Sequence, residues 1–160
     1  MSLMLDYAKY LARMVHVGET RRNGEPYHNH CDRVAEAVKD KGEIIESAAL
    51  MHDVLENAKS PNTIRLLLID YFPFEVTHLV ETLTQDKHTQ YNKYIEVVCN
   101  NPSAFIIKIA DMIDNTTDKI PEKQFNKYRD ACLYMISRGK DVPKILKDRF
   151  KIEDIIYCNL

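Results

Sequence analysis

At 160 residues the chain is long enough to bury one sizeable core and too short for two comfortable domains. Hydrophobic residues make up 45% and charged residues 29%, a balance that argues against disorder. A formal charge of −2 offers no broad field for nucleic acid or an anionic membrane, so any anionic ligand must meet a local cluster of cations.

With four glycines in the chain and little β-branched alternation, the pattern predicts helices throughout, an all-α fold in one domain over 1–160. The first predicted helix spans 3–16 in "MSLMLDYAKYLARMVHVG", where charged residues interrupt any apolar run, so no signal peptide is expected. No stretch approaches the roughly 20 apolar residues that cross a bilayer, so no membrane partner is expected. "RRNGEPYHN" reads as a loop, because Gly24 and Pro26 block regular structure. Helices are then expected at 30–40, 43–57, 61–71, 75–84, 89–99, 102–117, 122–138 and 143–156. Pro61, Pro102, Pro121 and Pro143 suit helix starts, where a missing N–H costs nothing, and "SPNT" and "NPSA" carry capping residues. The last predicted helix is amphipathic and suits packing on the domain or on a second copy, which leaves a homo-oligomer open. Cys31, Cys99, Cys132 and Cys158 show no CxxC spacing, and reduced thiols in a cytoplasm are the simplest expectation.

"AALMHDVLENA" puts His52 and Asp53 inside an apolar run, where an unpaired ionisable group costs several kcal/mol. A divalent cation is the most economical compensation: it neutralises the carboxylate and uses the imidazole lone pair. His30, where "GEPYHNH" turns into a helix, and Asp111, in "FIIKIADMIDN", are the other candidate ligands. A mixed nitrogen and oxygen shell suits Mn²⁺, Fe²⁺ or Zn²⁺ and leaves room for a phosphate. Against this, a lone helical histidine is more often a core residue, and an isolated aspartate more often a cap or ion-pair member. Adjacency of two letters alone is weak.

Four segments in order add specificity. "HVGETRRNGEPYHNHCDRVA" follows the pattern H-x-G-Q-x-R, G-x-P-Y, two residues, H and a helix ending in VA. "AALMHDVLEN" follows AALLHD-x-x-ED, "VTHLVETLT" follows LV-x-x-LT, and "YNKYIEVVCNNPSAFIIKIADMIDN" follows Y-x-x-YI, NP-x-A and K-x-AD-x-x-DN. From about residue 5 to 118 the chain therefore resembles the HD-domain metal phosphohydrolases, in particular the hydrolase domain of RelA/SpoT enzymes and their small single-domain relatives. The resemblance implies a compact helical HD-domain fold, with His30, His52, Asp53 and Asp111 holding a divalent metal, Mn²⁺ first and Fe or Zn as alternatives. It implies a metal-dependent phosphohydrolase acting on a phosphorylated nucleotide, with the 3′ pyrophosphate of guanosine tetraphosphate as one substrate.

Glu56 lies one helical turn beyond His52 in the predicted helix, placed to take a proton from water; the bland alternative is a solvated glutamate at a helix end. Family members follow this Glu with Asp, where Asn57 stands here, and Asn cannot accept a proton. Arg21 matches the family arginine that lies over the nucleotide. Arg22 is either a second phosphate contact or part of a solvated basic turn. Lys108 and Asn115 share the Asp111 helix, and Asn115 matches a family position near the nucleoside. His28 stands where the family has an aliphatic residue; in an extended segment it faces the same way as His30, though an exposed loop residue is the simpler reading. A different class of function remains open: a nucleotide-sensing or binding module that keeps the metal site and has lost turnover at Asn57.

Overall fold

The computed structural model describes residues 2–153, and these are helical, with no strand among them; one isolated β-bridge pairs Thr20 with Pro26. Contacts group the chain into two units, the first ending at Thr89 and the second beginning at Gln90. The first holds α1 (Leu3–Val15), α2 (Tyr27–Val38), a 3₁₀ turn (Lys39–Lys41), α3 (Glu43–Leu50), α4 (Val54–Asn57), α5 (Pro61–Tyr71) and α6 (Phe74–Leu83). The second holds α7 (Tyr91–Asn100), α8 (Pro102–Asn115), α9 (Glu122–Ser137) and α10 (Lys144–Phe150).

In the first unit α3 is packed against α1, α2 and α6. Its last four residues, Ser47, Ala48, Ala49 and Leu50, are all buried, so the helix has no solvent face at that end. The two alanines let neighbouring helices approach closely, and Leu50, Val34 on α2 and Val76 on α6 are buried in the same unit. In the second unit α7 meets α8 and α9, and α9 meets α10. Arg149 on α10 donates to the Ile113 carbonyl at 2.6 Å and to Thr116 Oγ1 at 2.7 Å. A cation thereby satisfies a carbonyl at the negative end of α8.

Two expected helices change in ways that matter for the site. The helix expected at 30–40 begins at Tyr27, directly after Pro26. His30 therefore sits in its first turn. His28 is half-buried on the same helix, so alternation along an extended segment does not apply to it. The helix expected at 43–57 is two helices, separated at residues 51–53. There the backbone tightens: Met51 N–H donates to Ala48 O, His52 N–H to Ala49 O and Val54 N–H to Met51 O. The cause is local. His52 Nδ1 lies 2.8 Å from the Ala49 carbonyl, the acceptor an unbroken α-helix would offer to the N–H of residue 53.

The expected helix at 61–71 is found with those ends, Pro61 occupying its first turn. Of the two capping stretches, Asn101 caps α8, its side-chain oxygen accepting from the N–H groups of Ser103 and Ala104 at 3.1 Å each. Ser60 makes no such cap and bonds the Thr63 hydroxyl instead. The helix expected at 143–156 runs over Lys144–Phe150 and is interrupted at Lys151, whose φ of 53° is left-handed; residues beyond Glu153, Cys158 among them, lie outside the described residues. Cys31, Cys99 and Cys132 are buried free thiols; burial pushes Cys132 up to about 12 and raises Cys99 as well. No helix among the described residues is long and apolar enough to cross a membrane.

The loop between α1 and α2 is built as a narrow hairpin. Arg21 N–H donates to Glu25 O, Gly24 N–H to Arg21 O and Tyr27 N–H to Glu19 O. Gly24 has φ +86°, a left-handed turn conformation that costs glycine little. Glu25 Oε1 accepts from Arg33 at 2.6 Å and from Arg21 at 3.1 Å. The Arg33 hydrogen bond, aided by Arg21, overrides partial burial and lowers the Glu25 carboxyl to about 2 from an ordinary 4.5. A lowered folded-state value means that the contribution is complete above about pH 4.5 and disappears as pH falls toward 2. Glu25→Gln should therefore lower stability near neutral pH and flatten its decline through that window, as read by urea unfolding at a series of pH values. Parallel curves for the two proteins would show that the Arg–Glu cluster does not set this dependence.

Candidate metal centre

Within the first unit the break between α3 and α4 carries His52 and Asp53, and the first turn of α2 brings His30 to them. His30 Nε2 lies 3.2 Å from His52 Nε2, and His52 Nε2 lies 3.1 Å from Asp53 Oδ2. His30 Nε2 is 3.9 Å from the same carboxylate oxygen. One potential ligand atom from each of the three residues falls within 4.8 Å of the others. His30 is fully buried and His52 is 2% exposed, so water does little for either ring.

The chemistry of this donor set fits a divalent metal. A carbonyl can only accept, so His52 Nδ1 carries a hydrogen toward Ala49 O, leaving the Nε2 lone pair of the neutral ring facing His30 and Asp53. A metal-binding histidine commonly donates its other N–H to a backbone carbonyl in this way. The carboxylate is itself held: Tyr27 Oη donates to Asp53 Oδ2 at 2.6 Å. Electron-rich atoms gathered at this spacing in a buried site repel one another unless a proton or a cation stands among them, and a divalent cation satisfies all three.

A second line of contacts leads away from Tyr27. Its ring stacks on His16 at 4.6 Å between centroids and meets His30 edge-on at 5.5 Å. His16 is buried, and its Nδ1 donates to Glu19 Oε2 at 2.8 Å. The same oxygen accepts from Asn57 Nδ2 at 3.3 Å. Tyr27, His16 and Glu19 were not among the residues picked from the sequence. The signal available there was their place in H-x-G-Q-x-R and G-x-P-Y, which marks positions without saying what touches what.

The remaining candidates divide between the two units. Glu56 is an exposed residue of α4, and its Oε1 accepts the Gln85 N–H at 2.6 Å. Because the helix is broken, Glu56 does not lie one turn along the same helix as His52. Arg21 is largely buried and bonded to Glu25, whereas Arg22 is exposed on the hairpin. Asp111, Lys108 and Asn115 form a cluster on α8 in the second unit. Lys108 Nζ donates to Asp111 Oδ2 at 2.7 Å, and Asn115 Nδ2 donates to the other oxygen. Burial pulls the Lys108 ammonium down, but the adjacent Asp111 carboxylate prevails and holds it well above its ordinary value.

No protein-family model matches the chain. The probable GTP pyrophosphokinase of Mycobacterium leprae is 31% identical over 159 residues, covering 91% of this chain and 20% of that protein. The guanosine-3′,5′-bis(diphosphate) 3′-pyrophosphohydrolase of Aquifex aeolicus is 30% identical over 114 residues, 65% of this chain and 16% of that protein. The chain thus spans a fifth or less of the length of these relatives. A solved structure of a metazoan SpoT ortholog that hydrolyses ppGpp superposes with a TM-score of 0.73 at 21% identity, covering 94% of this chain and 93% of that one. That likeness establishes the fold.

Tyr27→Phe tests the carboxylate's anchor without altering any of the three ligand-bearing residues. Loss of a hydrogen bond behind a metal ligand should weaken Mn²⁺ affinity by roughly 10–100-fold in a calorimetric titration. An unchanged affinity would show that Tyr27 does not orient Asp53 for the metal.

Proposed function

The chain belongs to the RelA/SpoT-like HD domains, and on that premise we propose that it is a metal-dependent phosphohydrolase removing the 3′ pyrophosphate of guanosine tetraphosphate. The observation that carries the reading is the buried His30, His52 and Asp53 group, with the His52 Nε2 lone pair turned inward by the Ala49 carbonyl. The name of the Aquifex relative supports the substrate. His30, His52 and Asp53 hold the metal, with Asp111 assigned to the same ion by the resemblance. Mn²⁺ is the preferred metal, as in the family. A cytoplasmic location is proposed with it.

When bound, the divalent ion supplies positive charge for phosphate oxygens and acidifies water. The chain's own groups do the rest. Tyr27 fixes the Asp53 carboxylate by its hydroxyl. Glu56 is the base: it takes one proton from the water that adds to the phosphorus next to the 3′ oxygen. The bond between that phosphorus and the 3′ oxygen breaks, and the 3′ oxygen takes up the proton held by Glu56, so that pyrophosphate is released and the 5′-diphosphate is left with a free 3′ hydroxyl. Asn57 stands beside Glu56 and orients rather than accepts a proton. Arg21 pairs with phosphate oxygens, exchanging its Glu25 contact for the substrate, and Arg22 adds a second cation on the same hairpin. Lys108 and Asn115 are assigned to the nucleotide, Asn115 toward the nucleoside.

Asn57 favours a second reading, in which the chain binds the nucleotide and does not turn it over. Incubating metal-loaded protein with guanosine tetraphosphate and a panel of nucleoside phosphates separates the two. Pyrophosphate release that requires added Mn²⁺, and that falls roughly 10²-fold or more in Glu56→Gln, is the expected result. Release from a different nucleotide would replace the substrate and keep the reaction class. Tight binding with no release at any Mn²⁺ concentration would establish the binding module instead.

A further inference from the structure

Two positions depart together from the pattern the chain resembles, and the structure joins them. The pattern has Gln where Glu19 stands and Asp where Asn57 stands. These residues are 38 apart in sequence, yet Asn57 Nδ2 donates to Glu19 Oε2 at 3.3 Å. A glutamine amide facing an aspartate makes the same kind of bond in the opposite direction. Exchanging amide and carboxylate between the partners keeps one hydrogen bond and one negative charge, and moves that charge from one chain segment to the other.

We propose that Glu19 supplies the carboxylate that position 57 lacks, as a positioning residue whose charge orients Asn57 and the His16–Tyr27 stack behind Asp53. Its catalytic part rests on the phosphohydrolase reading above. Two contacts of Glu19, and the ring stack they support, fit it for this. Its backbone carbonyl accepts the Tyr27 N–H at 3.0 Å, which fixes it against the start of α2. Its Oε2 takes the hydrogen of His16 Nδ1 at 2.8 Å and so sets which nitrogen of that ring is protonated. The His16 ring stacks on Tyr27, whose hydroxyl holds Asp53. His16 Nε2 is buried with no hydrogen-bond partner among the described residues, so Glu19 provides the polar anchor seen for this ring. A glutamine at 19 would face the Asn57 amide with another amide and offer His16 a weaker acceptor.

The consequence runs against a plain reading of the sequence. Asn57→Asp resembles a restoration of the family acid, but beside Glu19 it removes the donor and sets two carboxylates against each other. The single exchange should harm the protein, and the double exchange should repair it.

The test is a four-member cycle of wild type, Glu19→Gln, Asn57→Asp and the double variant. Each is followed by thermal unfolding without metal and by kcat and KM for Mn²⁺-dependent release of pyrophosphate from guanosine tetraphosphate. Each single variant should lose at least ~10-fold in kcat, with KM within about 2-fold, and the double variant should return to within about 3-fold of wild type. The Tm losses should likewise be non-additive, with the double variant above Asn57→Asp. A Glu19→Gln enzyme with wild-type kcat, or a double variant showing the product of both losses, overturns the proposal. If wild type itself releases nothing, the substrate reading falls separately. The unfolding cycle then decides the pair: additive Tm losses overturn it, and recovery in the double variant upholds it.

Discussion

Two imidazoles and a carboxylate within a few ångströms of one another, largely out of water, are the constraint on which the first unit depends. Such a group is costly to assemble without a partner of opposite charge. Nearby structure serves to aim these residues at one another. The α3–α4 break turns His52 and Asp53 inward, the start of α2 delivers His30, and Tyr27 secures the carboxylate. The buried Ser47–Leu50 end of α3 gives the break a fixed base, since small side chains let α1, α2 and α6 pack closely around it. A cation bound there would link binding to folding, because whatever neutralises the cluster also stabilises the helices that hold it.

Much of this was legible in the residues. His52 and Asp53 announced themselves as charges in an apolar run, and the four ordered segments identified their company. Helix starts marked by proline were clear, and α5 begins with Pro61 in its first turn as expected. What periodicity could not reveal was the interruption at residues 51–53. The apolar spacing continues through it, and its cause is a side chain competing with the backbone: His52 Nδ1 occupies the Ala49 carbonyl. The same break removes the simple argument that placed Glu56 one turn from His52. The α2 start lies earlier than periodicity places it, because Pro26, within a stretch whose glycine and proline read as a loop, initiates the helix at Tyr27.

The departures at Glu19 and Asn57 illustrate a different limit. Read singly, Asn57 is a lost acid and Glu19 an unremarked variation. Only their hydrogen bond shows that the substitutions concern one interaction. The Asp111 cluster poses the converse case. Its acid stood out in an apolar helix, while the way Lys108 and Asn115 share its two oxygens required coordinates. In both places the chemistry resides in a pairing of side chains, which a linear pattern of residue types does not express.

All of this turns on His30, His52 and Asp53 together binding one divalent metal. Crystals grown with Mn²⁺ and measured at a wavelength where manganese scatters anomalously test this most directly. One strong anomalous peak is expected within bonding distance of His30 Nε2, His52 Nε2 and an Asp53 carboxylate oxygen. A fully occupied manganese elsewhere on the chain, with this group lacking a peak, would contradict it.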